Sequence, residues 1–192
     1  APIQRHNLSE LENSIDAKST SISVIIGNGG MQTIQVLDNG TGIPVNDHPL
    51  VCERFATSKL EQFEDLTNGS LSSFGFRGEA LASMSLVGHV SIFSKTKTDS
   101  TTSESRYLHG SILPNYPVPS GLTLGGSGTR VVVDDLFYEH PVKKRAYKKS
   151  EYRKILELLM QFMVCYPEID FRLKSFGELS WDVESPTGDR VD

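Results

Sequence analysis

At 192 residues, 38% hydrophobic and 22% charged, the chain has the size and composition of one globular domain. Its net charge of −5 creates no global basic field, so any contact with nucleic acid must come from a local patch. Two distant cysteines, Cys52 and Cys165, and scattered histidines give no zinc spacing; no apolar run is long enough to cross a membrane, and the opening residues do not read as a secretory signal.

Residues 1–8 are weakly patterned, and residues 9–17 read as a short helix. Residues 22–26 are a β-branched run, Gly27-Asn28-Gly29-Gly30 is a turn, and residues 31–37 are a second strand, a hairpin signal. Asp38 therefore stands at a strand's end, where Gly40 and Gly42 allow a sharp turn. The pattern then predicts a helix over 48–55, a long polar loop of lid character over 57–74, a helix over 78–86 and a strand over 89–95. Residues 96–105 read as a polar surface loop, 107–113 as a strand and 114–128 as turn-rich. Residues 130–137, with three consecutive valines, predict a buried central strand. From Ser150 the spacing of Tyr152, Ile155, Leu156, Leu159, Met160 and Met163 predicts a helix with a core-facing stripe, ended by Pro167. Residues 169–176 and 179–183 form a final hairpin through Gly177. This is an α+β pattern: a mixed sheet with helices on one face, a two-layer sandwich forming one domain over residues 1–192.

The stretch Ser73-Phe74-Gly75-Phe76-Arg77-Gly78-Glu79-Ala80-Leu81 sets two glycines around an arginine and runs into a helix start. Free backbone N–H groups and the positive end of a helix dipole suit a polyphosphate. The spacing is neither that of a Walker loop nor that of a dinucleotide fingerprint. Asp38-Asn39-Gly40-Thr41-Gly42-Ile43 and Thr57-Ser58-Lys59-Leu60 precede it. Together, D-N-G-T-G-I, F-A-T-S-K-L and F-G-F-R-G-E-A-L resemble the ATP-binding motifs of the MutL family of DNA mismatch repair proteins. That family is one branch of the GHKL ATPases, with gyrase, histidine kinases and a large heat-shock chaperone. Ser14-Ile15-Asp16-Ala17 and Val51-Cys52-Glu53-Arg54-Phe55 extend the match and point to the eukaryotic homologues. The resemblance covers nearly the whole chain, and it implies the same sandwich in its GHKL (Bergerat) form.

The resemblance implies a role for each matching residue. Asp38 would read the adenine amino group, since a carboxylate accepts from an amine and cannot accept from a guanine carbonyl. Gly42 and Ile43 belong to the same motif, with glycine letting the backbone approach the base. Asn13 matches the magnesium ligand, and Ala17, one turn on, would face the same pocket. The family's general base stands four residues before the asparagine; here that position is Ser9, so Glu10 is assigned the base, while Glu12 points elsewhere. Thr57, Ser58 and Lys59 would be the lid's phosphate contacts. Gly75, Phe76, Arg77, Gly78, Glu79, Ala80 and Leu81 would supply backbone amides, and Thr129 would buttress the base. Lys143, Lys144, Arg145, Lys148, Lys149, Arg153 and Lys154 form a local basic excess suited to DNA phosphates.

The implied function is ATP binding and Mg²⁺-dependent hydrolysis in a mismatch repair protein, with ATP ordering the lid and dimerising the N-terminal regions. The alternative is a nucleotide-gated interaction module with negligible hydrolysis. The cofactors implied are ATP and Mg²⁺. The partners are another MutL homologue, MutS-type mismatch recognition proteins and DNA, with no membrane; the location is the nucleus. In the family a second domain and a C-terminal dimerisation region follow, so hydrolysis by these residues alone should be slow.

Overall fold

The computed structural model describes residues 2–52, 79–146, 150–177 and 181–184. In chain order the described elements are α1 (Pro2–Asp16), β1 (Ser21–Gly27), β2 (Thr33–Asp38), α2 (Glu79–Ser85), β3 (His89–Lys95), β4 (Ser103–Leu108), β5 (Ser111–Ile112), β6 (Val118–Pro119), β7 (Gly128–Asp134), α3 (Pro141–Ala146), α4 (Ser150–Cys165), β8 (Asp170–Phe176) and β9 (Trp181–Glu184). The strands form one sheet in the order β5-β4-β3-β7-β2-β1-β8-β9, with β6 paired to β4. Every pairing is antiparallel except that of β1 with β8. The sheet is therefore mixed, as the sequence predicts. The three-valine strand lies centrally between β3 and β2.

The register explains the single covered face. Val24, Val36, Val131 and Ile92 lie in one row across four strands, and Ile26, Ile34, Val133 and Val90 lie in the next. All eight are buried. Against them pack Leu11 of α1, Leu81 and Met84 of α2, and Ile155 and Leu159 of α4. Each such side chain, fully buried, contributes roughly 1.5–3 kcal/mol. The opposite face carries paired polar side chains, with Arg130 bonded to Gln35 and Arg106 to Glu104. A two-layer α+β sandwich results.

Several boundaries differ from the sequence reading. α1 begins at Pro2 rather than near Ser9; residues 3–8 contain no glycine or proline, and proline at a first helical position loses no bond. Lys18 (φ 58) ends the helix, with Ser19 N–H returning to the Ser14 carbonyl. In place of a helix over 48–55 there is a 3₁₀ segment, Val45–Leu50, and residues 53–55 lie outside the described residues. The strand predicted over 107–113 is a hairpin, β4–β5, and β4 reaches back into the supposed loop at Ser103. His109 (φ 51) and Gly110 (φ 79) both take positive φ, the two-residue turn that matches strand twist. α3 interrupts what the sequence shows only as a basic run. Met160 is 55% exposed and not part of the α4 core stripe, whose buried members are Ile155 and Leu159. The lid expected over 57–74 lies wholly outside the described residues.

Candidate functional site

The inner face of the sheet turns polar in one row. Asp38 of β2 sits across from Thr129 of β7, and Thr129 across from Ser94 of β3. Strand alternation puts these three on the side of the buried valines, so each polar group needs a partner. Asp38 Oδ1 accepts from the N–H of Gly40 at 2.9 Å and of Thr129 at 3.3 Å; Oδ2 accepts the Ser14 hydroxyl at 3.1 Å. Burial pushes the Asp38 carboxyl above the usual carboxylate range, against the opposing pull of Gly40, Ser14, Thr129 and Ser19. A carboxylate offers roughly four acceptor sites, and these bonds use three. Beside it lies the buried Ser19 Oγ, which forms no hydrogen bond of good geometry yet stands close enough to the carboxylate to draw its pKa down. A weakly held acceptor site next to a hydroxyl that can turn either way fits a ligand carrying both donor and acceptor atoms, as an adenine edge does.

The end of α1 is docked on the turn after Asp38. Thr41 N–H reaches the Ala17 carbonyl at 3.1 Å. A Cβ added at Gly40 would stand 2.7 Å from both Ala17 Cβ and Ser19 Oγ, so the approach requires glycine. Gly42 takes φ +76, and a Cβ there would meet the Lys95 carbonyl oxygen at 2.2 Å. On α1, helical spacing puts Glu10, Asn13, Ser14 and Ala17 on one side. Asn13 Nδ2 donates to Glu10 Oε1 at 3.4 Å, which turns the Asn13 carbonyl oxygen away from that carboxylate. Glu10 is only 4% exposed.

The structure thus brings together Ala17, Asp38 and Thr129, with Gly42 and Ile43 continuing the turn and with Glu10 and Asn13 one turn back along α1. On α2, which opens at Glu79, Ala80 is half-buried and the Leu81 side chain lies in the core, so only its backbone is left for a ligand. Thr57, Ser58, Lys59, Gly75, Phe76, Arg77 and Gly78 lie outside the described residues. Among the described residues, no three His, Cys, Asp or Glu side chains gather into a metal cage. A separate groove of about 340 Å³ lies on the other face of the sheet, lined by Ser21, Ser23, Leu37, Arg130 and residues 122–127, and meets the site only at the Asp38-Asn39 turn.

Three residues that the sequence reading passed over belong to this site. Ser14 follows Asn13 and bonds the Asp38 carboxylate. Ser94 accepts from Ile43 N–H at 2.7 Å and donates to the Gly128 carbonyl at 3.1 Å. His48, wholly buried, touches the Ile43 carbonyl at 3.3 Å. For Ser94 a signal existed: alternation sets it inward with Val90 and Ile92, where a polar residue asks for an explanation. For His48 none did, since Ser105 and Tyr107, which fix its ring and its backbone, come from a distant strand.

The family profile described as "Histidine kinase-, DNA gyrase B-, and HSP90-like ATPase" matches residues 8–111. The chain is 41% identical over 184 residues to the DNA mismatch repair protein Mlh1 of Dictyostelium discoideum, covering 93% of this chain and 21% of that protein. It is 40% identical over 175 residues to MLH1 of Saccharomyces cerevisiae, covering 90% and 22%. Among solved structures it resembles the Aquifex aeolicus MutL ATPase domain complexed with ADP, with TM-score 0.62 and 30% identity over 93% of this chain and 62% of that one. The chain thus spans about a fifth of the length of those two curated eukaryotic relatives.

Proposed function

The chain belongs to the histidine kinase-, DNA gyrase B- and HSP90-like ATPase family, in its MutL branch, and from that premise we propose that it binds ATP at the Asp38 turn and hydrolyses it within a DNA mismatch repair protein. The observation that carries this reading is the Asp38 carboxylate, fixed by Gly40, Thr129 and Ser14 with acceptor capacity left over. An adenine amino group fills that capacity; a guanine carbonyl would set oxygen against oxygen. The chain's ADP-bound relative supports the same ligand class.

Asn13 would supply one hard amide oxygen to Mg²⁺, an ion that suits oxygen ligands. Mg²⁺ would neutralise charge on the phosphates. Glu10 is the proposed general base, held by Asn13 on the same side of α1. Thr57, Ser58, Lys59 and the segment Gly75-Phe76-Arg77-Gly78, with the backbone of Glu79, Ala80 and Leu81, are the proposed phosphate contacts. Turnover should be slow, because a base only 4% exposed has little room for the attacking water. The proposed partners are a second MutL homologue, MutS-type proteins and DNA, with nucleotide ordering a lid, and the proposed location is the nucleus. Calorimetric titration with ATP and GTP in Mg²⁺ tests the ligand. ATP should bind and GTP should bind at least tenfold more weakly; equal affinity would remove Asp38 from the role of base reader.

A second reading, a nucleotide-gated module without significant hydrolysis, is favoured by the same burial of Glu10 and by Ser9 at the position four residues before Asn13. Single-turnover hydrolysis by the wild type and by Glu10→Gln separates the two. A large loss in the variant supports catalysis by Glu10, and equal, near-background rates support the gated module.

A further inference from the structure

We propose that His48 is a positioning residue for the nucleotide turn: together with Ser94 it clamps the backbone N–H and carbonyl of Ile43, and it does so as the neutral Nε2–H tautomer. This inference rests on the ATP reading above. Ile43 lies in no strand or helix, so its backbone polar groups have no ladder to satisfy them. Its N–H goes to Ser94 Oγ at 2.7 Å and its carbonyl faces His48 Nε2 at 3.3 Å. A carbonyl only accepts, so Nε2 must carry the proton. Nδ1 is then bare and accepts from the Ser105 hydroxyl at 2.6 Å. Both ring nitrogens are used, and the ring is wholly buried. The His48 backbone is pinned as well, because the Tyr107 hydroxyl donates to its carbonyl at 2.7 Å.

The clamp continues to the adenine-reading carboxylate. Ser94 Oγ also lies 3.2 Å from Thr129 Oγ1, and Thr129 N–H donates to Asp38. Ser105, His48, Ile43, Ser94, Thr129 and Asp38 therefore form one connected polar path through the inner face of the sheet. Each link fixes the next, and removal of an inner link leaves a buried group without a partner. Meanwhile Gly42 is pressed against the Lys95 carbonyl, so the turn has little freedom to find another resting place. The side chains that hold Ile43 are thus a serine from β3 and a histidine from the 3₁₀ segment.

Burial holds the His48 imidazole below its ordinary range, and this outweighs the Ile43 carbonyl, Asp47 and Asp99, which act the other way. Among the described residues of the packed strands, the Tyr107 phenol, itself pushed up by burial, also lies against His48. The neutral ring that the clamp needs is therefore the one its surroundings favour.

The test uses the whole chain with Mg²⁺·ADP as probe. ADP affinity by calorimetry should fall roughly five- to tenfold in His48→Leu, which leaves the Ile43 carbonyl and the Ser105 hydroxyl unpaired. In His48→Gln most of it should return, since the glutamine amide N–H takes the place of Nε2–H. Where turnover is measurable, the change should fall on KM. In the wild type, ¹⁵N spectra of the imidazole should show the Nε2–H tautomer at neutral pH, a readout that does not depend on any variant folding. Full ADP affinity in His48→Leu, a His48→Gln variant as weak as His48→Leu, or an Nδ1–H tautomer would each overturn the clamp. A wild-type chain that binds no adenine nucleotide would overturn the ATP reading, and this inference with it.

Discussion

The Asp38 turn and helix α3 are both short polar pieces just beyond the end of a strand, and they are held in opposite ways. In the turn the contacts of Asp38 and Ile43 are buried or half-buried, each with a named partner: Gly40, Thr129 and Ser14 on the carboxylate, Ser94 and His48 on the Ile43 N–H and carbonyl. On α3 nothing is buried; Val142 is 77% exposed, and Lys143, Lys144 and Arg145 form no ion pair with another described residue. The first region has a fixed shape. The second presents charge and no shape, so it can recognise only charge. Substitutions should therefore produce large, discrete losses at the turn and small, salt-dependent ones at α3.

The strongest test of that contrast is Gly42→Ala. The position combines φ +76 with a backbone oxygen 2.2 Å from the new Cβ, and neither relaxes without moving β3. Strain and overpacking together should cost about 2–4 kcal/mol, read as a lower urea midpoint at constant m-value. A midpoint within error of the wild type would show that the turn is not held as described.

Asp38→Asn should separate binding from stability. ADP affinity should fall at least about tenfold, or ~1.4 kcal/mol, because an amide N–H would face the adenine amino group. The ligand-free protein should melt no lower than the wild type. The reason lies in the sign of linkage: a carboxyl whose folded pKa is raised stabilises fully below its unfolded value and loses that contribution as pH rises through the folded value. Where the buried carboxyl is ionised its charge is thus a cost, and asparagine removes it. A variant that melts much lower while keeping ADP affinity would contradict both expectations.

His48 gives a smaller effect with a defined pH window. Its folded pKa is lowered, so below about pH 6.5 the unfolded chain takes up a proton that the folded chain resists. Wild-type stability should fall between pH 6.5 and 5 more steeply than that of His48→Gln, by at most about 1.4 kcal/mol per pH unit. Parallel stability curves for the two proteins would show that His48 does not titrate in this window.

The smallest effect belongs to α3. Replacing Lys143, Lys144 and Arg145 by alanine should leave stability within about 0.5 kcal/mol and ADP affinity unchanged. It should weaken duplex DNA binding a few-fold and lower its salt slope by roughly one for each phosphate no longer neutralised. An unchanged salt slope would remove α3 from the DNA surface.

Much of the sheet was legible in the sequence because its signals are local. The β-branched runs, the Asn-Gly turn before β2 and the three valines of β7 each depend on neighbours a few residues away, and the strands they imply are present. Asp38 at a strand's end, with glycines after it, was likewise a local inference, and so was the one-sided placing of Glu10 and Asn13. Met160 was misplaced because a helical stripe tells which residues share a face but not how far the neighbouring layer extends over it.

What the tertiary structure alone decided is who satisfies whom. Thr129 N–H reaches Asp38 across 91 residues, Ser94 reaches Ile43 across 51, and Ser105 reaches His48 across 57. The parallel pairing of β1 with β8 sets the last described hairpin beside the first strand. None of these can be read from periodicity, because a hydrogen bond between distant segments is fixed by strand order and register, and these are settled only when the whole apolar face is buried at once. The sequence determined which residue types stand at strand ends and helix faces; burial of the common core then decided that an unremarked histidine and serine would hold the turn after Asp38.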